Sequence, residues 1–154
     1  MPGIQWADCR IPKGGGPLDK LITGIGHPFH IAADDRGIYW AEDPPGTTGY
    51  ASGRLAGSGL MGVGTVTLVD KEPTALAVTN GTIVYSLRTE IDAISTSGGE
   101  TRVVVGNLVD AGMMVAEGGR VAWVDPADPA IEGPTSPVLM SACIPLVLHS
   151  KSQQ

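Results

Sequence analysis

The chain repeats itself. When "PFHIAADDRGIYWAED" (28–43) is set above "PTALAVTNGTIVYSLR" (73–88) and "AGMMVAEGGRVAWVDP" (111–126), residue class is kept column after column. Ile31, Leu76 and Met114 fall together, as do Ala33, Val78 and Ala116, and then Ile38, Ile83 and Val121. Two columns further on, every copy has an aromatic: Trp40, Tyr85 and Trp123. The intervening stretches match as well, since "RIPKGGGPLDKLITG" (10–24) lies over "AISTSGGETRVVVGN" (93–107) without a gap. The copies begin 45 and 38 positions apart. A period of that size means one supersecondary unit per copy, unable to bury its apolar face alone and therefore stacked on its neighbours.

Each unit divides into four short strands. The first (29–34, 74–79, 112–117) is apolar on both faces, as expected of a strand sandwiched between sheets. A tight turn follows at Asp35-Arg36-Gly37, Asn80-Gly81 and Gly118-Gly119, residues that tolerate the positive φ of a type I′ hairpin. The second strand (37–42, 82–87, 120–124) carries the aromatic, where it is expected to pack blade against blade. The third (53–57, 91–95) is short, and the fourth (63–69, 101–105) is β-branched. Four antiparallel strands in this period predict an all-β chain of β-propeller blades, at about 4–24, 28–69, 73–105 and 111–150 of a single domain. The 22 glycines and 12 prolines, spread between apolar runs, are the punctuation such a fold needs.

The same register gives ordinary meanings to several tempting motifs. Asp34-Asp35 corresponds to Thr79-Asn80 and Glu117-Gly118, all at hairpin mouths, so turn chemistry accounts for the acidic pair. "GGG" (14–16) corresponds to Ser97-Gly98-Gly99, and no Lys-Ser/Thr follows it as a phosphate loop requires. Asn80-Gly81-Thr82 matches a glycosylation sequon, but the hairpin already explains it. Cys9 and Cys143 stand far apart with no CxxC pattern and are read as free, partly buried thiols, so no metal site is expected. A net charge of −6 gives no electrostatic reason to expect nucleic acid or an anionic membrane. No apolar run approaches the ~20 residues of a spanning helix, and the amino terminus lacks the basic start and apolar stretch of a signal peptide.

At these columns the chain resembles bacterial β-propeller repeat proteins of the YWTD/NHL-like kind. Their unit runs roughly as P-x-x-I-A-x-D, a turn, I-Y-W with a further Asp, and later Gly-Gly before a β-branched strand. The best copy is Pro28, Ile31, Ala32, Asp34, Ile38, Tyr39, Trp40 and Asp43, and Gly98-Gly99 is the clearest glycine pair. The second copy departs with Val84-Tyr85-Ser86 and the third with Ala122-Trp123-Val124. The resemblance covers residues 4 to 126 and, more weakly, the stretch to 150. It implies a six-bladed ring, an extracytoplasmic setting and a binding or scaffold role. Some such propellers are lyases of the virginiamycin-inactivating type, but their paired catalytic histidines with a metal-binding acid have no copy here. The chain holds only about three blades, so it is part of a longer propeller, one of two chains that complete a ring as a homodimer, or a stand-alone open array.

Propeller topology collects the loops from fourth to first strands and from second to third strands on one face, and ligand sites favour such loops. That face is expected to hold His27, His30, Glu42, Asp43, Asp70, Glu72, Glu90, Asp110 and Asp125. Of these, His27, His30, Glu42, Asp43, Asp70 and Asp125 are the candidate binding residues for an unknown protein or small-molecule partner. No catalytic residue and no cofactor is assigned. The alternative is a lyase or hydrolase with His27 or His30 as base beside Glu42, since histidine titrates near neutral pH. Convergence of those side chains in one pocket distinguishes the two readings.

Overall fold

The computed structural model describes residues 6–44, 46, 53–125 and 138–143. Among the described residues there is no helix, only strands that form four antiparallel sheets. The first sheet has two strands, β1 (Trp6–Arg10) and β2 (Asp19–Ile25). The second is a complete meander of β3 (His27–Ala33), β4 (Gly37–Asp43), β5 (Arg54–Gly59) and β6 (Val66–Val69). The third repeats it with β7 (Ala75–Thr79), β8 (Thr82–Ser86), β9 (Ile91–Ser95) and β10 (Arg102–Val105). The last consists of β11 (Gly112–Glu117), β12 (Arg120–Asp125) and β13 (Val138–Cys143). The inner strands β3, β7 and β11 lie side by side, so the sheets follow one another around a common edge. β1 and β2 occupy the third and fourth positions of their blade, as the register with 93–107 requires.

Three apolar cores sit between successive sheets, and the repeat columns decide which residue enters which. Trp40, Tyr85 and Trp123 all face the preceding blade. Trp40 packs with Ile38 and Ala56 against Ile22 and Ile25 of β2. Tyr85 packs with Leu76, Ile83 and Ile94 against Tyr39, Ala41, Leu55 and Val69. Trp123 and Val121 meet Val84, Ile91 and Ala93. The opposite side of each strand thus serves the following blade, which is the period-two alternation of a strand used twice. Full burial of a large apolar side chain is worth roughly 1.5–3 kcal/mol, so each seam is a core in its own right. Side chains also bond across the third seam, where Thr74 Oγ1 donates to the Ala111 carbonyl at 3.1 Å and Gly119 N donates to Thr79 Oγ1 at 3.1 Å.

The turns divide into two kinds. Asn80 and Gly81 both take positive φ (50° and 72°), as a two-residue type I′ hairpin demands. The first copy differs, because neither Asp35 nor Arg36 has positive φ. There the Asp34 carboxylate shapes the turn, its Oδ1 accepting from Arg36 N at 2.9 Å and Gly37 N at 3.0 Å. Two further expectations need correction. Only β7 is buried on both faces, whereas β3 and β11 alternate between covered and exposed positions. The cause is context: β7 has a sheet on either side, while among the described residues no inner strand stands before β3 or after β11. Cys9 is an exposed free thiol rather than a partly buried one, and the side chain of Cys143 lies outside the described residues.

Candidate functional site

In an antiparallel meander the start of the first strand, the end of the second, the start of the third and the end of the fourth share one end of the sheet. The registers His27↔Asp43, Glu42↔Arg54 and Leu55↔Val69 put residues 26–28, 42–44, 53–54 and 69–72 together there. In the next sheet the same end carries 86–91 and 105–111, tied by Leu108 N donating to the Thr89 carbonyl at 2.9 Å and Ala111 N to the Arg88 carbonyl at 2.7 Å. The expected loop face therefore exists. What its residues do there is more varied than the sequence suggests.

Glu42 is completely buried. Its Oε1 accepts from Arg54 Nε at 2.8 Å and Nη2 at 2.5 Å, and its Oε2 accepts from Gly26 N at 2.6 Å. Both oxygens are committed, one to the cation of the neighbouring strand and the other to the backbone where the first sheet hands over to the second. Gly26 has no room for a side chain, since a Cβ there would stand 1.6 Å from the Asp43 carbonyl oxygen. Glu42 is thus a fastener inside the loop face and not part of its exposed surface. The strand expected at 37–42 is found as β4, one residue longer to Asp43, and Glu42 lies within its buried run.

His27 and His30 go separate ways. His27 is exposed at the start of β3, with Nδ1 3.9 Å from Oδ2 of the nearly buried Asp43 across the strand pair. His30 stands edge-to-face with Phe29, ring centroids 5.5 Å apart at 80°, and borders an open, mostly apolar cavity of about 420 Å³ shared with Ile31, Leu76, Met113 and Val115. The cavity that His30 borders includes neither His27 nor Glu42 among its described lining residues. Among the described residues no three His, Cys, Asp or Glu side chains are grouped to hold a metal ion. Asp70 is exposed beyond β6, and Asp125 ends β12 by its backbone while its side chain lies outside the described residues.

Sequence reasoning missed a second buried carboxylate. Asp92 lies opposite Tyr85 on β9, within the seam between the two complete sheets. Tyr85 donates its hydroxyl to Asp92 Oδ2 at 3.4 Å, and Lys71 Nζ approaches the same oxygen at 3.6 Å. Burial, and then the Asp92 carboxylate, raise the Tyr85 hydroxyl well above the ordinary phenol range. The available signal was the lone acid in "IDAIS", cross-strand from an aromatic in an otherwise apolar strand.

The cations of this end are therefore engaged: Arg54 with Glu42, Lys71 with Asp92, and Arg88 with Asp110 at 3.7 Å. Asp70, Glu72 and Glu90 make no ion pair among the described residues. The face carries excess negative charge on a fixed framework.

No family model matches the chain, and no curated protein matches it. Among solved structures it is similar to a chain in the crystal structure of a nidogen/laminin complex, with 17% identity and a TM-score of 0.63 over 82% of this chain and 48% of that one. The likeness establishes the fold, a partial β-propeller of four-stranded antiparallel blades. The chain spans about half the length of the solved chain it matches. Among the described residues no helix is long and apolar enough to cross a membrane.

Proposed function

We propose that this chain is a non-enzymatic binding and scaffold module whose acidic loop face engages a protein partner through a basic surface. The observation that carries the reading is the uneven pairing of charge at the loop end. Arg54, Lys71 and Arg88 are each tied to a carboxylate, which leaves Asp70, Glu72 and Glu90 free to meet incoming cations. Complementary charge steers encounter and fixes register more than it adds affinity, and its signature is sensitivity to salt. The full burial of Glu42, with both carboxylate oxygens already engaged by Arg54 and Gly26 N, speaks against the lyase or hydrolase alternative, because proton transfer needs a group within hydrogen-bond reach of a substrate. Kinship with bacterial YWTD/NHL-like repeat proteins and an extracytoplasmic setting belong to the same proposal and rest on the repeat columns.

The test is calorimetric titration of the intact chain with an oligo-arginine peptide at low and at physiological salt. Binding that weakens with salt, and weakens again in an Asp70→Asn/Glu90→Gln variant, is the expected result. No binding at low salt, or binding that the double variant leaves unchanged, defeats the reading.

A further inference from the structure

At the end of the sheets opposite the loop face, an open pocket of about 250 Å³ lies over the seam between the second and third sheets. Both are complete four-stranded meanders, and its described walls come from these two sheets alone. Val66 and Leu68 of β6 give it an apolar side. Gly57 lets the wall close tightly, since a Cβ there would stand 2.9 Å from the Tyr39 ring and 3.2 Å from Leu68 Cδ1. Across the seam, Thr96 N donates to the Gly81 carbonyl at 3.0 Å, which fixes the β9–β10 turn against the β7–β8 hairpin.

Arg36 sets the charge of this pocket. Its side chain leaves the β3–β4 turn and crosses the seam, because a Cβ on Gly81 would lie 2.5 Å from Arg36 Nη1. No carboxylate forms an ion pair with this guanidinium among the described residues. Asp34 commits Oδ1 to the Arg36 and Gly37 backbone N–H groups and to the Tyr39 hydroxyl, and Asp35 is exposed. No acid lines the pocket among the described residues. Its other polar side chains are hydroxyls. Tyr39 donates to Asp34 Oδ1 at 3.3 Å, and Ser58 Oγ donates to the Gly59 and Val63 carbonyls at 3.4 Å each. With their protons placed on the protein, both oxygens are left as acceptors. Thr96 and Ser97 add two hydroxyls from the third sheet.

We propose that this pocket binds a small hydroxylated carboxylate, about the size of a single sugar acid. The carboxylate lies on the Arg36 fork, whose planar donors match its two oxygens. The ligand's hydroxyl groups donate to Tyr39 and Ser58, and its carbon skeleton rests on Val66 and Leu68. Both features are required: a neutral sugar leaves the cation unpaired, and a plain short-chain acid brings no proton to the waiting acceptors. The volume falls just below that of ordinary small-molecule sites, ~300 Å³ and upward, which sets the size limit. This site lies at the other end of the sheets from the acidic face and takes a ligand of the opposite charge, so either reading can fail alone.

Nitrogen-15 NMR titration of the intact chain with D-galacturonate is the test. The amide signals of Arg36, Ser58, Thr96 and Ser97 should shift saturably, while that of Glu90 at the loop end stays in place. D-Galactose, without the charge, and propionate, without the hydroxyls, should each bind roughly tenfold more weakly or worse, as the loss of such hydrogen bonds implies. These comparisons use the wild-type chain and need no variant. Arg36→Gln, at an exposed position and checked for an unchanged circular dichroism spectrum, should weaken galacturonate binding by a similar factor. Arg36→Lys keeps the charge without the fork and should fall between. No saturable shift, shifts centred on the loop end, galactose or propionate bound as tightly as galacturonate, or a folded Arg36→Gln variant that binds unchanged overturns the proposal.

Discussion

Replacing Arg54 with methionine isolates the fastener of the loop face. The substitution keeps the length of the side chain and removes the cation, leaving Glu42 at 0% exposure with Gly26 N as its remaining donor. Breaking a buried ion pair from one side costs about 3–5 kcal/mol, because the surviving charge stays out of water without compensation. The Arg54 side chain is 26% exposed, so solvent already screens part of the interaction, and the expected loss falls to roughly 2–4 kcal/mol. Urea melts followed by tryptophan fluorescence should show the midpoint dropping by roughly 1–2 M at a slope of about 2 kcal/mol/M. A Glu42→Gln/Arg54→Met double variant should recover more than half of the loss, since a neutral amide needs no cation and its oxygen still accepts from Gly26 N. A single variant that loses less than about 1 kcal/mol, or a double variant no better than the single, refutes a structural role for this pair.

Other perturbations probe the frame around it. Gly81→Val should cost more than roughly 1 kcal/mol in chemical denaturation, because φ is +72° there and the new Cβ would meet the Arg36 guanidinium; a neutral result contradicts the hairpin register. Gly26→Ala should cost about 1–3 kcal/mol or prevent folding, judged by the same melts, since its Cβ collides with backbone rather than a movable side chain. Tyr85 is raised in the fold, so the unfolded chain ionises first: its contribution is intact below pH ~10 and is lost as pH climbs past that value, at up to about 1.4 kcal/mol per unit. Stability measured from pH 9.5 to 11.5 should fall more gently in Tyr85→Phe than in the wild type, and an identical slope counts against the assigned cause.

The blade architecture was legible because burial in this fold follows a column rule. Trp40, Tyr85 and Trp123 enter equivalent seams, and the strand order follows from the turns between them. The chemistry of the loop end was less legible. Acidic residues at a strand end look solvated in one dimension, and only the pairing of β4 with β5 brings Arg54 onto Glu42. Asp92 was invisible for a similar reason: its partner Lys71 lies in the preceding linker, across the seam rather than along the strand. The expected burial of the first strands on both faces failed at β3 and β11 because a repeat describes a typical unit, while burial depends on which neighbours that unit has.

Unequal coverage of otherwise equivalent sheets has a consequence for how the molecule breathes. In a stacked array, local stability is the sum of a unit's own terms and those of the seams it shares. The second and third sheets each share two seams: Trp40 and Ala56 serve one side of the second sheet and Tyr39 and Leu55 the other, while Ile83 and Tyr85 serve one side of the third and Val84 and Ile91 the other. The outermost sheets share one each. Opening should therefore proceed from both ends inward, and backbone amide protons of the central strands β4, β5, β8 and β9 should be the last to exchange with deuterated solvent.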